Sequence, residues 1–165
     1  MDLEILKEIN HINKKYSLNC EVKVKSIRFI KKLHGDNSPL DVSIFKKKCP
    51  WRKVAVDVEL SFNFIENFID YLDFGLIAQC QVLSEGFMEK HQEKLNWSMV
   101  SQHQNLSENF IEKHQDKVEW SKISLGQKLS EKFIMKFEHK VSWNNILIFQ
   151  KVSSNFREQY SHLRW

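Results

Sequence analysis

Residues Leu106 to Lys128 read LSENFIEKHQDKVEWSKISLGQK, and the stretches on either side are altered copies of the same 23 residues. Leu83 to Asn105 reads LSEGFMEKHQEKLNWSMVSQHQN, and Leu129 to Lys151 reads LSEKFIMKFEHKVSWNNILIFQK. The same window fits Leu60 to Val82 without a gap, and Val152 to Trp165 as a half copy with Trp165 in the tryptophan slot. A short fixed period marks a repeat architecture, in which one supersecondary unit recurs along the chain.

Each copy has two apolar clusters. The first contains Phe64 and Ile65, Phe87 and Met88, Phe110 and Ile111, or Phe133 and Ile134. The second opens on Phe74, Trp97, Trp120 or Trp143 and continues three positions on with Ile77, Val100, Ile123 or Ile146. Leu72, Leu95, Val118 and Val141 lie between the clusters. These spacings predict two short helices joined by a turn. Ser84, Ser107 and Ser130 stand where an N-cap belongs, each followed by a glutamate that suits the positive end of a helix. Leu106 with Ile111 and Leu129 with Ile134 have the spacing of a hydrophobic staple. For the second helices, Asp73, Asn96 and Ser142 are good N-caps and Glu119 a poorer one.

Helices this short are unstable alone in water, so each must be covered by the next copy. The predicted fold is therefore all-α, an α-solenoid of short helical hairpins with a divergent basic N-terminal cap. One domain spans 1–165: cap 1–36, diverged repeat 37–59, repeats 60–82, 83–105, 106–128 and 129–151, and half repeat 152–165. On this reading Trp51, Phe74, Trp97, Trp120, Trp143 and Trp165 form a stacked core ladder. Gln81, Gln104, Gln127 and Gln150 recur seven positions after the aromatic, and their amides are expected to brace the turn into the next Leu-Ser. His91 and His114 share a slot that Phe137 fills in the next copy, which suggests a half-buried face and not a metal ligand.

The N-terminal part departs from the pattern. Residues 2–16 predict an amphipathic helix with Ile5, Ile9, Ile12 and Tyr16 on one face and Asp2 at its start. Residues 17–25 alternate in the manner of a strand, whose best partner would be 54–58. The repeat register instead places 51–58 in a helix, with Trp51 in the aromatic slot, and that reading ranks first. Ser26 to His34 predicts a short helix stopped by Gly35, and Ser38-Pro39 a helix start leading to Val42 and Phe45.

Charge divides the chain. Up to Lys53 there are 13 lysines and arginines against 6 carboxylates; from Val54 on there are 12 against 15. The basic residues gather as Lys23, Lys25, Arg28, Lys31 and Lys32, then as Lys46, Lys47, Lys48, Arg52 and Lys53. Such a patch suits phosphates or an acidic protein surface, or simply keeps the end of a stack solvated. The chain has no P-loop, GxGxxG, HExxH or GxSxG, and its glycines, Gly35, Gly75, Gly86 and Gly126, are isolated. Cys20, Cys49 and Cys80 are odd in number and form no CxxC, which reads as reduced thiols of an intracellular protein. No apolar run is long enough to cross a membrane. No catalytic residue, cofactor or metal is expected.

The residues LSENFIEKHQDKVEWSKISLGQKLSEKFI resemble the short Leu-Ser-Glu-x-Phe-Ile…Lys-Val-x-Trp…Ile-Ser…Gln repeats of giant DNA viruses and some large phages. The likeness is clear over 60–151, weaker over 37–59 and 152–165, and does not reach 1–36. It implies a helical repeat and a viral or phage origin, and carries no catalytic residues with it. The expected role is that of a non-enzymatic cytoplasmic binding protein acting on a host protein or ribonucleoprotein, such as a CRISPR effector or another defence complex. The alternatives are RNA or DNA binding through the basic segment, and self-assembly, for instance a homodimer through the C-terminal half repeat.

Overall fold

A computed structural model describes residues 3–18 and 42–163, and among them every regular element is helical. The readings that fall on Lys23 to Lys32, the helix start at Ser38-Pro39, Cys20 and Trp165 lie outside the described residues. The chain divides into two compact units, Met1–Ile77 and Ala78–Trp165.

In the first unit, α1 (Leu3–Lys15) buries Ile5, Ile9 and Ile12 of the face that the periodicity marks, with Leu6 beside them, while Tyr16 lies half-buried just past its end. Its end is a Schellman-type closure: Leu18 N–H donates to the Asn13 carbonyl at 3.1 Å and Ser17 takes φ 49°. Ser17 therefore terminates a helix. Next come α2 (Ser43–Lys48), α3 (Trp51–Asp57) and α4 (Phe62–Asn67), with a 3-10 turn at Ile69–Tyr71. Residues 54–57 lie inside α3, where Val54 and Ala55 are buried, so the strand alternative for 54–58 fails there. Repeat register wins over alternation because Val54 and Ala55 are both enclosed, which a half-buried strand face would not do.

Tyr16 ties α1 to α3. Its hydroxyl donates to Asp57 Oδ2 at 3.1 Å, and Lys15 Nζ donates to the Asp57 carbonyl at 2.6 Å. Burial, followed by the bond to Asp57, pushes the Tyr16 phenol up to about 12. Glu8 of α1 accepts the Ser61 N–H at 3.1 Å, and the Ser61 hydroxyl as well. An aromatic group closes the interior: Phe45, Trp51, Phe64 and Phe68 have ring centroids 4.6 to 6.4 Å apart.

Helix α5 (Phe74–Cys80) runs across the boundary between the units. Beyond it the first helices of the copies are α6 (Glu85–Lys90), α8 (Glu108–Lys113) and α10 (Glu131–Lys136), and the second helices are α7 (Trp97–His103), α9 (Trp120–Gly126) and α11 (Trp143–Phe149). Helix α12 (Ser154–Gln159) opens the half copy. Helix α9 packs against both α7 and α11.

The caps explain why helices of six and seven residues begin where they do. Ser84, Ser107, Ser130 and Ser153 each accept the N–H of the phenylalanine three residues on. Each such cap is worth about 1 kcal/mol. The following glutamate does more than complement a dipole: Glu85 accepts the Ser107 N–H at 2.7 Å, and Glu108 and Glu131 accept those of Ser130 and Ser153. One copy thus prepares the helix start of the next. Among the second helices, Asn96 caps by accepting the Met99 N–H at 3.2 Å and Asp73 by accepting from Gly75 and Leu76. Ser142 makes no side-chain cap bond, contrary to expectation. Its ψ of 100° matches that of Asn96, and differs from the ψ near 150° of the serine caps that work. At that angle the longer amide of Asn reaches the helix and the shorter serine hydroxyl does not.

Candidate interaction surfaces

The recurring polar residues are spent on contacts with the neighbouring copies. Gln104 accepts the Leu83 N–H at 2.8 Å and donates to the carbonyls of Ala78 and Gln81, both at 2.7 Å. Gln127 repeats this with Leu106, Ser101 and Gln104, and Gln150 with Leu129, Ser124 and Gln127. The amide braces the turn 21 residues upstream, which enters its own copy, and not the turn into the next Leu-Ser. The reason is geometric: residues 23 apart are neighbours in adjacent copies, so the end of each second helix lies beside the end of the preceding one. Ser101 and Ser124, fully buried, were not anticipated from the sequence. Their hydroxyls donate to the carbonyls of Trp97 and Trp120 and accept the N–H groups of Glu119 and Ser142. Recurrence of Ser at this slot in two copies was the available signal.

The aromatic ladder is more open than a stacked core. Trp51, Phe74, Trp97, Trp120 and Trp143 are half-buried. Trp97, Trp120 and Trp143 stack on Phe110, Phe133 and Phe156 of the following copy, at 6.1 to 6.3 Å, and touch the rings of His114, Phe137 and Tyr160 at 4.9 to 5.0 Å. Each tryptophan thus closes a three-ring group with two rings of the following copy. Each indole N–H of Trp51, Trp97, Trp120 and Trp143 donates to the carbonyl five residues before it. The ammonium groups of Lys117 and Lys140 lie 5.9 Å from the rings of Trp97 and Trp120. These indoles are therefore committed on their edge and partly on their face.

His91 and His114 are buried more deeply than the half-buried face expected, as aromatic wedges against Phe87 and Phe110 at 4.5 Å. His114 Nε2 has no hydrogen-bond partner and lies 3.8 Å from Glu89 Oε1. Burial holds the His114 imidazolium below its usual pKa, and Glu89 opposes this only in part. A hydrogen bond from Lys113 lowers the Glu89 carboxyl. Among the described residues no cluster of His, Cys, Asp and Glu is arranged to hold a metal ion, and no helix is long and apolar enough to cross a membrane. Cys49 is buried and Cys80 exposed, and neither is in a disulfide among the described residues.

The basic segment divides by position. Lys46, Lys47 and Lys48 form the end of α2, and Arg52 and Lys53 the start of α3, joined by Cys49-Pro50. Lys46 lies 5.2 Å from the Tyr71 ring, and Arg52 pairs with Asp73 at 3.3 Å. Lys47, Lys48 and Lys53 are exposed and make no ion pair among the described residues. Tyr71, itself 42% exposed, lies against Trp51 at 5.1 Å, so the aromatic surface that Lys46 covers continues to the first residue of α3.

A second surface was not anticipated. Leu125, Ile148 and Phe149 are 41%, 43% and 56% exposed. Leu125 and Phe149 border a groove of about 370 Å³ lined by residues 125–129 and 149–151. Aligning the copies shows the signal: these slots are polar or small in the preceding copies, as Gln79 and Cys80, then Gln102 and His103. Comparison with family models, curated proteins and solved structures gives no match to this chain.

Proposed function

We propose that this chain is an α-solenoid of 23-residue hairpins that acts without catalysis, as a binding protein encoded by a virus or large phage. Its target is a host protein or ribonucleoprotein in the cytoplasm, of the kind assembled by host defence systems such as CRISPR effectors. One observation carries the reading. The glutamine, serine, glutamate and tryptophan side chains that recur in the copies hydrogen-bond neighbouring main chain, whereas Lys47, Lys48 and Lys53 are exposed and form no ion pair among the described residues, in a segment whose Lys46 lies against the Tyr71 ring. Exposed cations without a counter-charge of their own are where a partner of opposite charge docks.

The test is affinity capture from host lysate, with and without nuclease, using the native chain and one in which Lys46, Lys47, Lys48, Arg52 and Lys53 are all changed to Glu. A partner retained after nuclease and lost on charge reversal supports the reading. An unchanged set of partners on charge reversal sinks it. The exposed cations, in a segment whose Lys46 lies against the Tyr71 ring, also favour a second reading. This is direct RNA or DNA binding, which predicts nuclease-sensitive capture and affinity that falls steeply with salt.

A further inference from the structure

We propose that the groove between the C-terminal ends of α9 and α11 docks a short acidic segment of a partner protein, which seats an apolar side chain against Leu125 and Phe149. This rests on the reading of the chain as a binding protein, but not on the basic segment at Lys46 to Lys53.

The copies supply the argument, because they act as controls for one another. If packing alone fixed the last two positions of the second helix, all copies would use similar residues there. They do not. The pair runs Gln79-Cys80, Gln102-His103, Leu125-Gly126 and Ile148-Phe149. The last two pairs place large apolar groups on the surface, with Phe149 56% exposed. The exposed parts of these groups carry a solvation cost that burial by a partner would remove.

Gly126 keeps the groove open. A Cβ built there would meet only the Gln102 carbonyl, at 3.9 Å, an ordinary contact, and its φ lies outside the left-handed region. Neither backbone nor sterics calls for glycine at this position. The missing side chain leaves free the space beside Phe149, the residue that fills the same slot one copy later.

The rim selects for charge. No carboxylate lines the groove. The amides of Gln127 and Gln150 are taken by main-chain groups. Lys128 and Lys151, one copy apart, are exposed and form no ion pair among the described residues. An apolar floor between two lysines complements an apolar anchor flanked by Asp or Glu. A volume of about 370 Å³ accommodates one large side chain and its immediate neighbours.

The experiment is fluorescence anisotropy on the full chain. The probe is a fluorescein-labelled synthetic peptide with a central Phe-Leu pair among Glu and Asp. One control replaces its carboxylates by Lys, and the other replaces Phe-Leu by Ser-Ser. The acidic apolar probe binds saturably and the controls do not. Phe149→Ser weakens binding about tenfold or more, as loss of a central aromatic contact does. Gly126→Leu, which fills the groove, and the double change Lys128→Glu with Lys151→Glu weaken it comparably, with the circular dichroism spectrum unchanged in each variant. Reversing the charges of Lys46, Lys47, Lys48, Arg52 and Lys53 leaves the probe's affinity intact, so failure of this site and failure of the basic surface are read separately. The proposal is overturned if the probe does not bind, or if Phe149→Ser binds it as well as the native chain does. It also falls if Phe149 governs binding of a single-stranded oligonucleotide in place of the peptide. The same holds if Phe149→Ser abolishes concentration-dependent self-association seen by sedimentation, since a second copy would then be the occupant.

Discussion

The two units of this chain use the same joints but different mortar. In Ala78–Trp165 a glutamate in each first helix accepts the N–H of the serine that opens the next, as Glu85 does for Ser107 and Glu108 for Ser130. In Met1–Ile77 the same bond to Ser61 comes from Glu8, on a 13-residue helix outside the repeat. In the second unit the outer faces of adjacent copies are laced by exposed ion pairs such as Lys113 to Glu89 and Lys117 to Glu93. In the first unit the interior is a cluster of aromatic rings around Phe45. A repeat can therefore be closed by an unrelated helix, provided that helix supplies the one acceptor the next serine needs and enough apolar surface to replace a missing copy.

Predictions can break this comparison. The largest effect is expected for Phe45→Ala, since Phe45 is 1% exposed and meets three rings. It should cost about 4 kcal/mol in urea denaturation; a cost near 1 kcal/mol would show that the aromatic cluster is not what holds the first unit. In the second unit, Gln127→Ala leaves Leu106 N–H and two carbonyls without their partner. It should cost about 3 kcal/mol, and a neutral result would show that water replaces the amide freely.

Smaller effects sharpen the picture. Ser107→Ala should lose about 1 kcal/mol, whereas Ser142→Ala, with no cap bond to lose, should be close to neutral. Equal effects at the two sites would contradict the cap geometry. His114 is held below its usual pKa chiefly by burial, so the native chain binds fewer protons than the unfolded one. The stability tied to His114 is complete above the unfolded pKa, about 6.5, and declines as pH falls below it towards the folded value. His114→Phe, which copies the residue at Phe137, should remove that acid-side decline; thermal unfolding between pH 5 and 8 with parallel profiles for both proteins would refute it. Least of all, Ser17→Gly should raise stability by about 0.5 kcal/mol, since Ser17 sits at φ 49°. A loss of stability would mean that the serine side chain contributes something the helix closure does not require.

Much of this was legible in the sequence. Phe-Ile pairs, serine caps and tryptophan starts fix each helix to the residue because short helices depend on their ends. Period also gave α3 its helical reading against the alternation of Val54 to Val58. What stayed hidden were relations that linear spacing does not encode. Gln127 was expected to brace the turn into the next Leu-Ser and braces the one at Leu106, because which turn it meets depends on which neighbour lies beside it. The tryptophans were recognisable as apolar slots, yet a slot carries no depth, and they proved half-buried. Ser101 and Ser124 carry no mark in the spacing of their role, which is to accept the next copy's N–H groups. Phe149 was visible throughout, and only alignment against Cys80 and His103 distinguishes it from core.

The glutamine ladder also has an order in time. Each rung joins a side chain to main chain 21 to 26 residues earlier, never later. During synthesis the turn at Leu106 thus waits for Gln127 to emerge, a delay of about 1 to 4 s at usual elongation rates of roughly 5–20 residues per second. Growth from the N-terminus lets each new copy lock the one before it, so that no more than about one unsealed turn trails the ribosome at any moment.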